Sequence, residues 1–398
     1  MRREAITSKN WSISSDDLKK VDLVLLSLIG AMVVFGLLMV YSSSYIFAQE
    51  RTGDGFAFIK KQLIFTVLGF IALLISVQIP YRKWAQWTYP IAIGALALLI
   101  LVLIPGVGAR VGGAQRWLRL GPLNVQPAEI AKFAMILFAA RQLEKKRERI
   151  QEFVPGIVAP FLLPMLAMGL LLLQPDFGSV VMIAGVIFLL AFLAGASKKY
   201  LASILALGGT AASFLVLSTP YRRARVMTFL DPWQDPMGKG FQVLQSMLGL
   251  HNGSFFGVGL GNGKEKLFYL PEAHNDFIFA VIGEELGFIG VACVVAAFCI
   301  LIYRGLRIAE LCLKQRNDYF GAYLATGITL ALGLQAFVNM GVVFGLLPTK
   351  GLTLPFISYG GSALLIDLFA VGVLLSISKG QSYDVIRVEK PEIITATR

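Results

Sequence analysis

Residues 23–43 read LVLLSLIGAMVVFGLLMVYSS, with no charged side chain among them. A helix needs roughly 20 mostly apolar residues to cross a bilayer. This run meets that length by itself. Further runs of the same kind follow at 62–79, 88–104, 127–141, 156–173, 179–196, 200–217, 276–303, 319–346 and 358–378. The count predicts ten spans. The fourth is the weakest, being short and carrying Glu129, Lys132 and Arg141.

The composition agrees. Of 398 residues, 56% are hydrophobic and 15% charged, and the mean hydropathy is +0.71. A soluble domain needs more charge on its surface. The expected fold is therefore all-α: a polytopic membrane protein with about ten transmembrane helices. It forms one membrane domain over 23–378, between a polar tail at 1–22 and another at 379–398. The N-terminus is polar up to Asp22 and shows no cleavable signal pattern, so the first run is read as a retained anchor.

Lysine and arginine set the orientation. With the N-terminus cytoplasmic, the inside segments hold 22 of these residues and the outside segments 13, although the outside segments are longer in total. Both tails are therefore expected in the cytoplasm. The cluster Glu144-Lys145-Lys146-Arg147-Glu148-Arg149 reads as a cytoplasmic anchor. The longest outside segment, 218–275, falls between helices seven and eight. A long loop rich in aromatic residues and proline is more often functional than slack.

Several chemistries drop out. The net charge of +12 is explained by orientation, and no basic helix interleaved with aromatics suggests nucleic acid. Three cysteines and two histidines, without ligand spacing, argue against a disulfide framework or a zinc site. The run Gly257-Val258-Gly259-Leu260-Gly261 follows no predicted strand and is not read as a nucleotide loop.

Four polar constellations remain. In Leu270-Pro271-Glu272-Ala273-His274-Asn275-Asp276, the aspartate stands where the outer loop enters a helix. It is either a helix cap or a general base in a half-dry cavity. Glu284 and Glu285 lie two turns inside that helix, where ionisable groups face a partner or a wet cavity. Glu129 and Lys132 are three apart and share a helix face: an ion pair, or the polar floor of a headgroup cavity. Tyr221-Arg222-Arg223-Ala224-Arg225 places three arginines outside, against the inside bias; their forks suit phosphate oxygens. The segment from Leu347 to Ser362 breaks helical patterning with prolines and glycines and carries Lys350. Irregular backbone at membrane depth persists only where protein or water satisfies it, so this segment is expected to line a cavity. Asp367, inside the last run, is assigned no role.

Five stretches together resemble the SEDS family (shape, elongation, division and sporulation). They are Gln126-Pro127-Ala128-Glu129 with Lys132, Gln174-Pro175-Asp176-Phe177-Gly178, Phe229-Leu230-Asp231-Pro232-Trp233, Lys266 through His274, and Gly345 through Gly361. The resemblance spans about residues 23–378. Gly345 through Thr353 is closer to the cell-division branch than to the elongation branch. The pattern departs at Asn275, Asn124, Ala363 and Asp367, where the family often has Thr, Arg, Ser and Asn.

The resemblance implies ten helices and a peptidoglycan glycosyltransferase. Such an enzyme polymerises lipid II on the outer face of the cytoplasmic membrane, releases undecaprenyl pyrophosphate, and works with a class B penicillin-binding protein and other division proteins. It implies Asp276 as the catalytic base. Substrate-binding candidates are Glu129, Lys132, Arg223, Arg225, Lys266, Glu272, His274 and Lys350. Whether a divalent cation, Mg²⁺ or Mn²⁺, takes part is left open. A lipid II flippase, an elongation or sporulation polymerase, and a non-enzymatic division scaffold are the alternatives.

Overall fold

A computed structural model describes residues 21–111, 114–121, 123–218, 220–238, 240–266, 273–349 and 351–380. The chain is helical, and a helix stands at each of the ten apolar runs. Helix α1 covers Leu23–Thr52, capped by the Asp22 carboxylate at one end and by Gly53, at φ 73°, at the other. Then come α2 (Ala57–Gln78), α3 (Tyr81–Leu103), α4 (Pro127–Lys145), α5 (Ala159–Leu173), α6 (Phe177–Leu193) and α7 (Lys198–Leu217). A π-helical turn at Val154–Val158 extends α5 backwards. Two shorter helices, α8 (Pro220–Leu230) and α9 (Phe241–Gly253), fill part of the long loop before α10 (Ile278–Arg316), α11 (Tyr319–Val343) and α12 (Gly361–Lys379).

Among the described residues, seven helices are long and apolar enough to cross a membrane: α1, α2, α3, α5 with its π turn, α10, α11 and α12. Helix α6 is apolar but shorter. Helix α4 is the informative exception. It packs against α3, α5, α6, α11 and α12, and its residues are buried from Pro127 almost without a break to Leu143. Other helices shield it from lipid, so it has no need of an apolar exterior. That is why its run reads weakly in the sequence.

Close approach of α2 and α12 depends on small residues. Gly69 faces Leu368, while Gly372 faces Ser76 and the backbone of Leu73. Ser76 Oγ donates across the seam to the carbonyl of Phe369 at 3.0 Å. Helix α7 lies at the rim, in contact chiefly with α6 and α8.

A three-stranded antiparallel sheet joins α3 to α4: β1 (Gly108–Val111), β2 (Ala114–Leu120) and β3 (Leu123–Val125), in that order. The all-α reading does not include it. Strand β1 pairs with β2 and β2 with β3, both antiparallel. The sheet lies at the end of the bundle where α5 stops and α6 begins. Arg116 ties it there, its Nε donating to the Gln174 carbonyl at 3.0 Å and its Nη2 to the Pro175 carbonyl.

The opposite end is basic and cross-braced. Arg304 pairs with Asp22 at 2.7 Å and Arg82 with Asp318 at 3.2 Å, while Tyr81 donates to Asp318 at 2.6 Å. Arg147 stacks on Tyr319. The charged cluster at 144–149 belongs to this end.

Candidate functional site

The loops at the sheet-bearing end converge on an irregular stretch between α11 and α12, described at 344–349 and 351–360. No regular ladder satisfies its carbonyls, so buried donors must. Helix α11 supplies two. Asn339 Nδ2 donates to the carbonyls of Asp276, at 2.8 Å, and Leu352, at 2.7 Å. One turn earlier, Gln335 Nε2 donates to the Thr353 carbonyl at 3.0 Å. From the other side, Gln62 Nε2 donates to the Ser358 carbonyl at 3.2 Å, and the N–H of Tyr359 donates to the His274 carbonyl at 3.0 Å.

Asp276 therefore sits just ahead of α10 with its backbone pinned by Asn339. Its side chain is half-buried and faces Gly351: a β-carbon built there would stand 3.0 Å from Asp276 Oδ2. A side chain there would press on the aspartate, which would have to give by a few tenths of an ångström. The N-cap of α10 is Phe277, whose side chain makes no cap hydrogen bond.

His274 is buried among Phe47, Phe58 and Tyr359, with ring centroids 4.6 to 5.6 Å away. Burial pushes its pKa down to about 4, so at neutral pH the ring is uncharged.

One turn along α11 from Asn339 lies a second polar layer. Lys132 Nζ stands 2.7 Å from Glu129 Oε2 and donates to Gln335 Oε1 at 2.8 Å. Both Glu129 and Lys132 are more than nine-tenths buried. They line a cavity of about 40 Å³ with Gln335 and Asp367. That is room for a few waters and far too little for a sugar. The ion pair expected from the three-residue spacing is formed. Asp367 joins it, with Oδ2 buried and unpartnered among the described residues.

Lys266 lies elsewhere. It pairs with Glu285 at 2.6 Å and donates to Ser42 Oγ at 3.1 Å, and it is buried. Its charge is spent inside the protein, anchoring the long loop to α10 and α1. Glu284 accepts from the N–H groups of Lys264 and Glu265, at 2.7 and 3.2 Å. Burial, with Glu284 nearby, raises the Glu265 carboxyl to about 7. Arg223 is exposed on α8. Glu272, Lys350 and the side chain of Arg225 lie outside the described residues.

Two functional-site amides, Gln335 and Asn339, are absent from the sequence reading. The signal was their i, i+4 spacing in an otherwise apolar helix. As for metals, no group of three or more His, Cys, Asp or Glu side chains converges among the described residues. Mg²⁺ ordinarily binds through one or two carboxylates plus substrate phosphates. Asp276 is compatible with a cation carried by such a substrate, and the described residues make no dedicated cage.

Fold and site together define a class: a multi-pass membrane protein with a half-buried aspartate at one end of the bundle, its backbone bonded to an α11 amide one turn from another that reaches a buried ionic cluster. Residues 22–383 match the FtsW/RodA/SpoVE family of cell cycle proteins, and the chain belongs to that family, also known as SEDS. It is 46% identical over 369 residues to the probable peptidoglycan glycosyltransferase FtsW of Geobacter metallireducens, covering 93% of this chain and 97% of that one. It is 40% identical to the stage V sporulation protein E of Bacillus subtilis, over 91% and 98%. A chain solved in a peptidoglycan synthase complex that coordinates polymerization and crosslinking superposes with a TM-score of 0.72 at 30% identity, covering 92% and 99%. The rod shape determining protein RodA of Thermus thermophilus does so at 0.67 and 28%, over 92% and 98%.

Proposed function

We propose that this protein is a peptidoglycan glycosyltransferase that polymerises lipid II on the outer face of the bacterial cytoplasmic membrane during cell division. One observation carries the reading: Asp276 is half-buried, its backbone carbonyl accepts from Asn339, and its carboxylate stands against Gly351. In this reading ten helices cross the bilayer, the loop 218–275 lies outside, and the tails 1–22 and 379–398 lie in the cytoplasm. The lysine and arginine bias supports that orientation. The names of the relatives support the chemistry, and the greater identity to the division relative supports a septal role over a sporulation one.

The reaction is an inverting glycosyl transfer. A hydroxyl oxygen of the acceptor sugar attacks the anomeric carbon of the donor. The bond from that carbon to the lipid pyrophosphate breaks and its electron pair leaves with undecaprenyl pyrophosphate. Asp276 takes the hydroxyl proton. His274, two residues before it in the chain and uncharged at neutral pH, adds no competing charge. Charge grows on the leaving pyrophosphate, where cations act most strongly in the transition state. Arg223, exposed on α8, suits that task, with Arg225 and Lys350 the further candidates. Lys132, enclosed with Glu129, does not act on the phosphates. The product strand passes to a class B penicillin-binding protein, which crosslinks it. A divalent cation, Mg²⁺ or Mn²⁺, would enter with the pyrophosphate and rest partly on Asp276, neutralising oxygen charge.

The test is polymerisation of purified lipid II by the protein with its partner, run with and without a chelator. Glycan strands with release of the lipid pyrophosphate are the expected result. Movement of labelled lipid II across vesicles with no polymer formed would assign the flippase reading instead.

A further inference from the structure

Helix α11 carries two amides one turn apart, and each bonds both the irregular segment before α12 and a second partner. Gln335 takes Lys132 Nζ on Oε1 and gives Nε2 to Thr353. Asn339 divides the two hydrogens of Nδ2 between Asp276 and Leu352. Consecutive carbonyls of the irregular segment, at 352 and 353, are thus held by one helix face. Through Gln335 that face is tied to the buried pair Glu129–Lys132 on α4.

We propose that Gln335 and Asn339 are positioning residues that couple the intramembrane ionic cluster to the placement of Asp276. Neither touches substrate. Asn339 sets where the Asp276 backbone stands relative to Gly351. Gln335 sets the height of the 351–354 segment over the bundle, and Lys132 sets Gln335. A bare need to satisfy carbonyls would be met by any donor. The arrangement on the page is narrower, because the donor that holds Leu352 also holds the residue facing Gly351 next to it. Misplacement of about 1 Å costs on the order of 100-fold in rate. The inference rests on the glycosyltransferase reading above, and its test separates the two.

Asn339→Asp keeps the shape and loses the donors. Gln335→Glu keeps the acceptor for Lys132 and loses the donor to Thr353. Both are made in the full-length protein, studied with its partner in detergent. Hydrogen–deuterium exchange over 351–354 reads the hold, and lipid II turnover reads the coupling. The proposal expects faster exchange in both variants and kcat lower by about 10- to 100-fold with KM within about twofold. It also expects non-additive kcat losses for Lys132→Met combined with Gln335→Met, since the two act as one unit. Unchanged exchange, or faster exchange with unchanged kcat, overturns it, as does strict additivity. Should the wild type form no polymer, the functional reading fails, and the exchange arm still decides whether the amides hold the segment.

Discussion

Lys132 stands 2.7 Å from Glu129 and 2.8 Å from Gln335, nearly sealed from solvent, with Asp367 lining the same cavity. Removing the cation strands carboxylates in a low-dielectric interior. Lys132→Met should therefore destabilise the protein by about 3–5 kcal/mol, and adding Glu129→Gln should recover a good part of it. Thermal unfolding in detergent checks both. Two loop groups pull stability in opposite directions with pH. Glu265, raised from 4.5 to about 7, holds more proton folded than unfolded between those values, so its contribution falls as pH rises through that window. His274, lowered from 6.5 to about 4, holds less, so its contribution rises with pH from about 4 to 6.5. Unfolding midpoints against pH should lose the fall in Glu265→Gln and lose the rise in His274→Gln. The Glu129–Lys132 pair was legible because charge at three-residue spacing stands out in an apolar run. Gln335 and Asn339 were not, because amides carry no charge and their partners are backbone carbonyls more than ten residues away. Lys266 read as a ligand contact; nothing local in the sequence reveals that Glu285 and Ser42 enclose it.

Helix α10 shows how an element is decided by its neighbours. Gly287, at φ 66°, breaks it seven residues before Val294, and the break is filled by the loop after α9. The N–H groups of Val258 and Gly259 donate to the carbonyls of Glu284 and Glu285, each at 3.0 Å. Those of Phe288 and Ile289 donate back to Ser254 and Phe255, at 2.9 and 3.3 Å. Backbone freed at membrane depth is re-satisfied by protein, as it must be. A β-carbon at Gly287 would collide with the backbone of Phe255 and Gly257. Gly287→Ala should cost at least about 2 kcal/mol and expose the 253–263 loop to protease, read by limited proteolysis and unfolding. From sequence the apolar run 276–303 gave the helix and the glycines 257, 259 and 261 gave a loop. Their splice was invisible, since it pairs backbone with backbone. The sheet escaped for a related reason: its strands are three to seven residues long, and what holds them is backbone pairing.

At the scale of the whole molecule, the ten apolar runs foretold the helices because lipid demands a continuous apolar length, and the weak fourth run marked the helix that other helices shield. The proposed orientation has a direct check. With native cysteines replaced, Arg223→Cys should react with an impermeant maleimide on intact cells, and Lys314→Cys only after permeabilisation; the reverse pattern would invert the topology. The central claim concerns the Asp276 carboxylate. Asp276→Ala, folded and bound to its partner as the wild type is, should make no glycan from purified lipid II. Polymer formed at the wild-type rate would contradict the account.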